Sequence, residues 1–207
     1  MNHIDAIFYI NLESRPDRRD HFLNEIRYLT TDVSKVQRID AIYEKQGALG
    51  CTRSHIKALE TFLANPSWKT CLIFEDDFTW KNQDQAANEA ALQTFFTEFP
   101  DFDCVNLGVS CYNLHYTDTS NPSIKHAISV QTASGYAVTR AFAPTLLLNF
   151  KESLEKLIES NIPELYCHDQ FWKKLQPISH WYLFLPALGY QYGNYSDINQ
   201  RVEDYGC

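Results

Sequence analysis

The densest chemistry in the chain is Cys71-Leu-Ile-Phe-Glu-Asp-Asp-Phe78, where three acids follow an apolar run with no turn residue between them. Adjacent carboxylates repel, and they hold together when solvated, hydrogen-bonded or neutralised by a cation. An all-oxygen donor set selects a hard ion such as Mg²⁺ or Mn²⁺. If a strand persists through the motif, alternation puts Glu75 and Asp77 on one side and Asp76 on the other, so two carboxylates could share one ion. A solvated acidic turn, or a cap for the next helix, is the bland alternative.

Two basic segments complement these acids. In Asn11-Leu-Glu-Ser-Arg-Pro-Asp-Arg-Arg19, the arginines Arg15, Arg18 and Arg19 fall in the first turn of a helix, with Ser14 as its expected cap and Pro16 just inside. Positive charge there opposes the helix dipole, and an anion would resolve the conflict, as would pairing with Asp17 and Asp20. Gly47-Ala-Leu-Gly-Cys-Thr-Arg-Ser-His55 is a glycine-containing loop opening a second helix, with Thr52 as cap and Arg53 and His55 exposed in the simplest reading. A basic helix end and an acidic strand end on one sheet edge suit a metal-bound diphosphate, as in a nucleotide-sugar site.

The elements that must position these residues alternate in type. Apolar runs at Ala6–Leu12, Val36–Ala41, Thr70–Phe74, Phe102–Leu107 and Gly135–Thr139 read as strands. Helical spacing recurs at Phe22/Leu23/Ile26/Leu29, Ile56/Leu59/Leu63, Ala87/Ala91/Phe95/Phe99 and Leu147/Phe150/Leu154/Leu157/Ile158. The alternation predicts an α/β fold with a mostly parallel sheet flanked by helices, ligands sitting at the carboxyl ends of the strands. The last 40 or so residues, rich in Tyr, Trp and His, are expected to cap that edge as a separate piece.

Composition sets outer limits. A chain of 207 residues suits one domain, and 44% hydrophobic content excludes disorder. A net charge of −8 argues against nucleic acid as partner, since polyanion binders need clustered positive charge. No apolar run approaches the roughly 20 residues of a membrane helix, and the start lacks a signal-peptide pattern, so a soluble cytoplasmic protein with no integral membrane segment is expected. The six cysteines are spread without a CxxC pair and read as reduced, buried residues, with no structural zinc site expected.

INLESRPDRRDHF, RIDA, GALGCTRSHIKALE and LIFEDD, in this order, together with SGYAVTRAFA, HDQFW and YSDI, resemble glycosyltransferase family 25, and the compact form resembles members encoded by large DNA viruses. The resemblance implies a GT-A-type, Rossmann-like single domain over 1–207, with a nucleotide-binding half to about residue 110 and an acceptor-side half with a C-terminal cap beyond it. It further implies a UDP-sugar donor, a glycan or glycoprotein acceptor, Mn²⁺ (or Mg²⁺) at a DxD-like motif, inversion at the anomeric centre and, for a viral protein, the host cytoplasm.

Carried onto this chain, the resemblance makes Asp77 the first metal ligand and Glu75 the second, with His168 as a further candidate. Asn11, Leu12, Arg15, Arg18, Asp40, Arg53, Glu75, Asp76, Ser134 and Gly135 would contact the nucleotide-sugar. Asp169, in Tyr166-Cys-His-Asp-Gln-Phe-Trp172, is the candidate base for the acceptor hydroxyl or else a helix cap. Tyr136, Trp172, Trp181, Tyr190, Tyr192 and Tyr195 could meet the sugar or fill the core, and Asp197 could contact the donor. A metal-dependent nucleotidyltransferase or phosphohydrolase, and a Ca²⁺-bearing sugar-binding module, remain open readings of the same residues.

Overall fold

The structure, a computed structural model, describes residues 3–30, 32–110, 112–196 and 201–203. Asp197, Cys111 and Cys207 lie outside the described residues, as does the side chain of Tyr195.

The chain opens with β1 (Ala6–Asn11), α1 (Pro16–Glu25), β2 (Val36–Asp40) and α2 (Gly47–Ala64). Then come β3 (Thr70–Glu75), β4 (Phe78–Trp80), α3 (Gln85–Glu98), β5 (Cys104–Asn106), β6 (His115–Asp118), β7 (Ile124–Ser129) and β8 (Gly135–Thr139). The remainder is α4 (Ala143–Ser160), the short α5 (Pro163–Tyr166) and α6 (His168–Phe171), β9 (Trp181–Phe184), β10 (Gly189–Gln191), β11 (Asn194–Ser196) and β12 (Arg201–Glu203).

Eight strands form one sheet in the order β2-β1-β3-β8-β5-β9-β7-β6. The pairings β1–β2, β1–β3 and β5–β9 are parallel, whereas β8 and β7 run against their neighbours. Six of the eight strands therefore point the same way, making a mostly parallel, mixed α/β sheet of Rossmann-like form. β1 is buried along its whole length, which suits an interior parallel strand covered on both faces. Its alternation divides the core: Ala6, Phe8 and Ile10 join one apolar cluster and Ile7 and Tyr9 the other. Residues of α2 and α4 pack on the first face, and residues of α1 and α3 on the second.

Several local expectations need correction. Arg15, not Ser14, is the N-cap of α1, and α2 starts at Gly47, which makes Thr52 a fully buried interior residue instead of a cap. The aromatic tail is only partly a cap. Trp181–Phe184 enters the sheet beside β5, so Trp172 and Trp181 are buried core residues. Tyr136 is likewise core. Gly189–Gln191, paired antiparallel with β4, returns to the strand ends and brings Tyr192 to the cleft. Two glycines permit that return: a Cβ on Gly189 would sit 2.1 Å, and one on Gly135 2.7 Å, from the Phe78 ring. The described cysteines Cys51, Cys71, Cys104 and Cys167 are free thiols. No helix among the described residues is long and apolar enough to cross a membrane.

Candidate active site

β1, β2 and β3 end side by side, and the residues just past them line an open cleft of about 850 Å³ with its mouth included. Leu12, Arg15, Arg18, Glu75, Asp76 and Asp77 all face this cleft, together with Ala41–Glu44 and Gln191–Tyr192. A second cavity, lined by Ser110, Gln131, Thr132, His168, Asp169 and Tyr190, adjoins it; Cys51, Glu75 and Gln191 belong to both walls.

The acidic motif does not continue as a strand. β3 ends at Glu75, and Asp76 and Asp77 form a turn, so simple alternation fails. Arg18 Nη1 donates to Asp76 Oδ1 at 3.0 Å and lies 3.2 Å from Asp77 Oδ2. Asn11 Nδ2 donates to the other Asp76 oxygen at 2.7 Å. The anion that the basic end of α1 calls for is thus supplied in part by the protein itself. On the other side of the turn, the β4–β10 register sets Gln191 opposite Phe78, and its Nε2 reaches Glu75 Oε2 at 2.8 Å and Asp77 Oδ1 at 3.5 Å. Gln191 is the functional candidate that the sequence conceals, because β10 lies 116 residues from Glu75 and carries no motif.

Burial raises all three acids. Glu75 is pushed up to about 7, chiefly by desolvation and then by the charge of Asp169. Desolvation and their acidic neighbours also raise Asp76 and Asp77 despite Arg18. A carboxyl whose folded pKa exceeds its unfolded one binds protons better in the folded state. Its stabilisation is complete below the unfolded value, near 4.5 for Glu75, and is lost as pH rises through about 7. Glu75→Gln mimics the protonated form, so its melting temperature is expected to gain on that of the metal-free wild type between pH 4.5 and 7 and to plateau above. A gap that stays constant with pH in paired melting curves would contradict this assignment.

The other expected site residues are placed unevenly. Arg15 lines the cleft but also clasps Asp17 at 2.8 Å, so the surface-network reading of this arginine holds. Asp40 pairs with Arg38 at 3.0 Å on the outside, and Arg53 reaches the cleft only through Glu44, 3.2 Å away. Neither Asp40 nor Arg53 lines either cavity. Gly135 lies under Phe78 instead of in the cleft. Ser134 is buried and holds the strand end by accepting the Glu75 N–H at 2.8 Å through its carbonyl.

In the second cavity, Asp169 is no cap: Cys167 precedes the helix, and Asp169 Oδ2 accepts the Thr132 N–H at 3.2 Å. Thr132 has φ 88°, a strained state for a β-branched residue, and Asn106 holds its carbonyl at 3.1 Å. Strain fixed from both sides is characteristic of functional walls. His55 is fully buried, not exposed, and its ring lies against that of His168, with centroids 4.3 Å apart and the planes tilted by 31°. Burial lowers the pKa of both to about 3, leaving neutral imidazoles.

No family model matches the chain and no curated protein matches it in sequence, so the family 25 resemblance rests on its motifs. Solved structures do match. A glycosyltransferase involved in the glycosylation of the major capsid of PBCV-1 aligns with a TM-score of 0.54 at 12% identity, over 94% of this chain and 95% of that one. Mannose-1-phosphate geranyltransferase from Thermus thermophilus aligns at 0.46 and 10%, over 86% and 72%. A 4-diphosphocytidyl-2C-methyl-D-erythritol synthase from Anaerococcus prevotii aligns at 0.42 and 11%, over 86% and 68%. The likeness to the capsid glycosyltransferase shows a shared fold along nearly the whole length of both chains.

Proposed function

We propose that the chain is a metal-dependent glycosyltransferase that moves a hexose, galactose or glucose, from a UDP-sugar to a hydroxyl of a glycan or glycoprotein, with inversion. The observation that carries this reading is the junction of two cavities at Glu75, one bearing arginines and an acidic turn, the other a carboxylate. In this reading the first cavity takes the donor and the second the acceptor.

The acidic turn fits a divalent ion. Its donors are hard oxygens, and burial holds the three acids above their ordinary range even with Arg18 at Asp76 and Asp77. Asp77 and Glu75 would hold Mn²⁺ or Mg²⁺, which when bound supplies Lewis-acid charge to a departing diphosphate. Arg15 and Arg18 add guanidinium groups at the same wall, and Asn11 fixes Asp76. Leu12 adds an apolar side chain to the cleft wall. Asp169 accepts the proton of the acceptor hydroxyl, and its bond to the Thr132 N–H fixes the carboxylate that does so. A cytoplasmic location, the host's for a viral protein, belongs to the same proposal.

Product analysis with UDP-hexoses and Mn²⁺ tests the reaction type. Release of intact UDP supports the proposal; release or consumption of pyrophosphate instead makes the chain a nucleotidyltransferase, and glycan binding without nucleotide makes it a sugar-binding module. Asp169→Asn retains an acceptor for the Thr132 N–H but not the base, so acceptor-dependent transfer is expected to fall by roughly 10²–10⁴-fold with donor affinity unchanged. Full transfer by this variant in a steady-state assay would show that Asp169 is structural.

A further inference from the structure

We propose that Cys51, His55, Glu75 and His168 bind one zinc ion, in a site beside the acidic turn that shares Glu75 with it. One ligand atom from each of these residues lies within 4.8 Å of all the others. Cys51 Sγ and His55 Nε2 converge on the same Glu75 oxygen, Oε1, at 3.5 and 3.2 Å, whereas Oε2 faces Gln191 and the turn. One carboxylate thus faces both sites, one oxygen to each.

The histidines are arranged as metal ligands are. His55 Nδ1 contacts the Tyr136 hydroxyl at 3.1 Å and His168 Nδ1 the Thr52 hydroxyl at 3.3 Å, the outer-shell bonds that fix a ring and its tautomer. His168 Nε2 is buried with no hydrogen-bond partner, a cost that a bound cation removes. Zinc takes sulfur at about 2.3 Å and nitrogen at about 2.0–2.1 Å, which sets tetrahedral edges of roughly 3.3–3.8 Å. The widest pair here must close by only about an ångström to meet that geometry.

The donors also choose the metal. A thiolate and two imidazoles favour zinc, whereas Mg²⁺ and Mn²⁺ prefer the oxygen-only turn next door. Binding exchanges the Cys51 thiol proton, lost to solvent, for a sulfur–zinc bond. With four protein ligands the sphere is closed, which marks a structural ion and not one that activates water. Such an ion would tie α2 and α6 to the end of β3, and so fix the wall between the two cavities. The spacing that carries it is Cys51-x-x-x-His55, two ligands four apart on one helix face, and not the CxxC pair whose absence argued against zinc.

The test is Co²⁺ substitution in the full chain, followed by absorption spectroscopy and by metal analysis after dialysis against zinc. The wild type is expected to keep one equivalent of zinc and, with Co²⁺, to show intense tetrahedral bands with a thiolate-to-cobalt charge-transfer band. Cys51→Ser should lose the charge-transfer band, and Asp77→Ala should keep it. A weak octahedral spectrum for the wild type, or a charge-transfer band that survives in Cys51→Ser, would overturn the proposal. Because the spectrum needs no donor, zinc binding and the glycosyltransferase reading fail independently.

Discussion

Replacing Asp77 with alanine is expected to lower metal-dependent hydrolysis of a UDP-hexose by at least roughly 10²–10³-fold, the range seen when one group stabilising transition-state charge is removed. Asp77 is buried in the turn after β3, beside Arg18 and Gln191. In the proposed reading its removal takes away a metal ligand, and it does so without opening the apolar core, since neither core cluster includes it. The melting temperature of the metal-free variant should therefore match or exceed that of the wild type, because one of three mutually repelling acids is gone. Steady-state hydrolysis across a Mn²⁺ titration, with melting curves alongside, checks both halves. Undiminished turnover would remove Asp77 from the site.

Arg18→Met should cost about 3–5 kcal/mol of stability at pH 8, the usual consequence of stripping the partner from buried charges. The Arg18 side chain is only 14% exposed and contacts both Asp76 and Asp77, so its loss leaves two buried carboxylates without that compensation. Burial raises the pKa values of the same acids, so lowering the pH to 5 relieves part of that charge and the loss should be smaller. Mn²⁺ should restore part of the stability at pH 8 by replacing the missing positive charge. Urea unfolding at the two pH values, with and without Mn²⁺, measures this. A penalty of equal size at both pH values and insensitive to Mn²⁺ would show that Arg18 acts through packing alone.

Much of the architecture is legible because interior strands leave a strong mark. β1, β3 and β8 are near-continuous apolar runs, and their ends could be read almost to the residue. The β6–β7 hairpin could not be read, since β6 is exposed throughout and has no apolar face to alternate. β9 was hidden for another reason. Its Trp and Tyr residues suit a sugar platform as well as a core, and only tertiary pairing with β5 decides for the core.

Within the candidate site, local motifs were readable and long-range partners were not. The acids of Glu75–Asp77 and the arginines of the first helix turn announce themselves by type and spacing. Whether an arginine meets an incoming anion or a carboxylate of its own chain depends on how far the strand continues, and β3 stops one residue before Asp76. Gln191 and the Thr132 backbone enter through contacts spanning many residues, which no local pattern encodes.

In the proposed reading an acidic chain holds a nucleotide diphosphate by bringing a metal to Glu75 and Asp77. Isothermal titration of UDP into metal-free protein, repeated with saturating Mn²⁺, tests it most directly. No measurable heat of binding is expected without the ion, one site with it, and loss of that site in Asp77→Ala. Binding of UDP with the same affinity whether or not Mn²⁺ is present would contradict it.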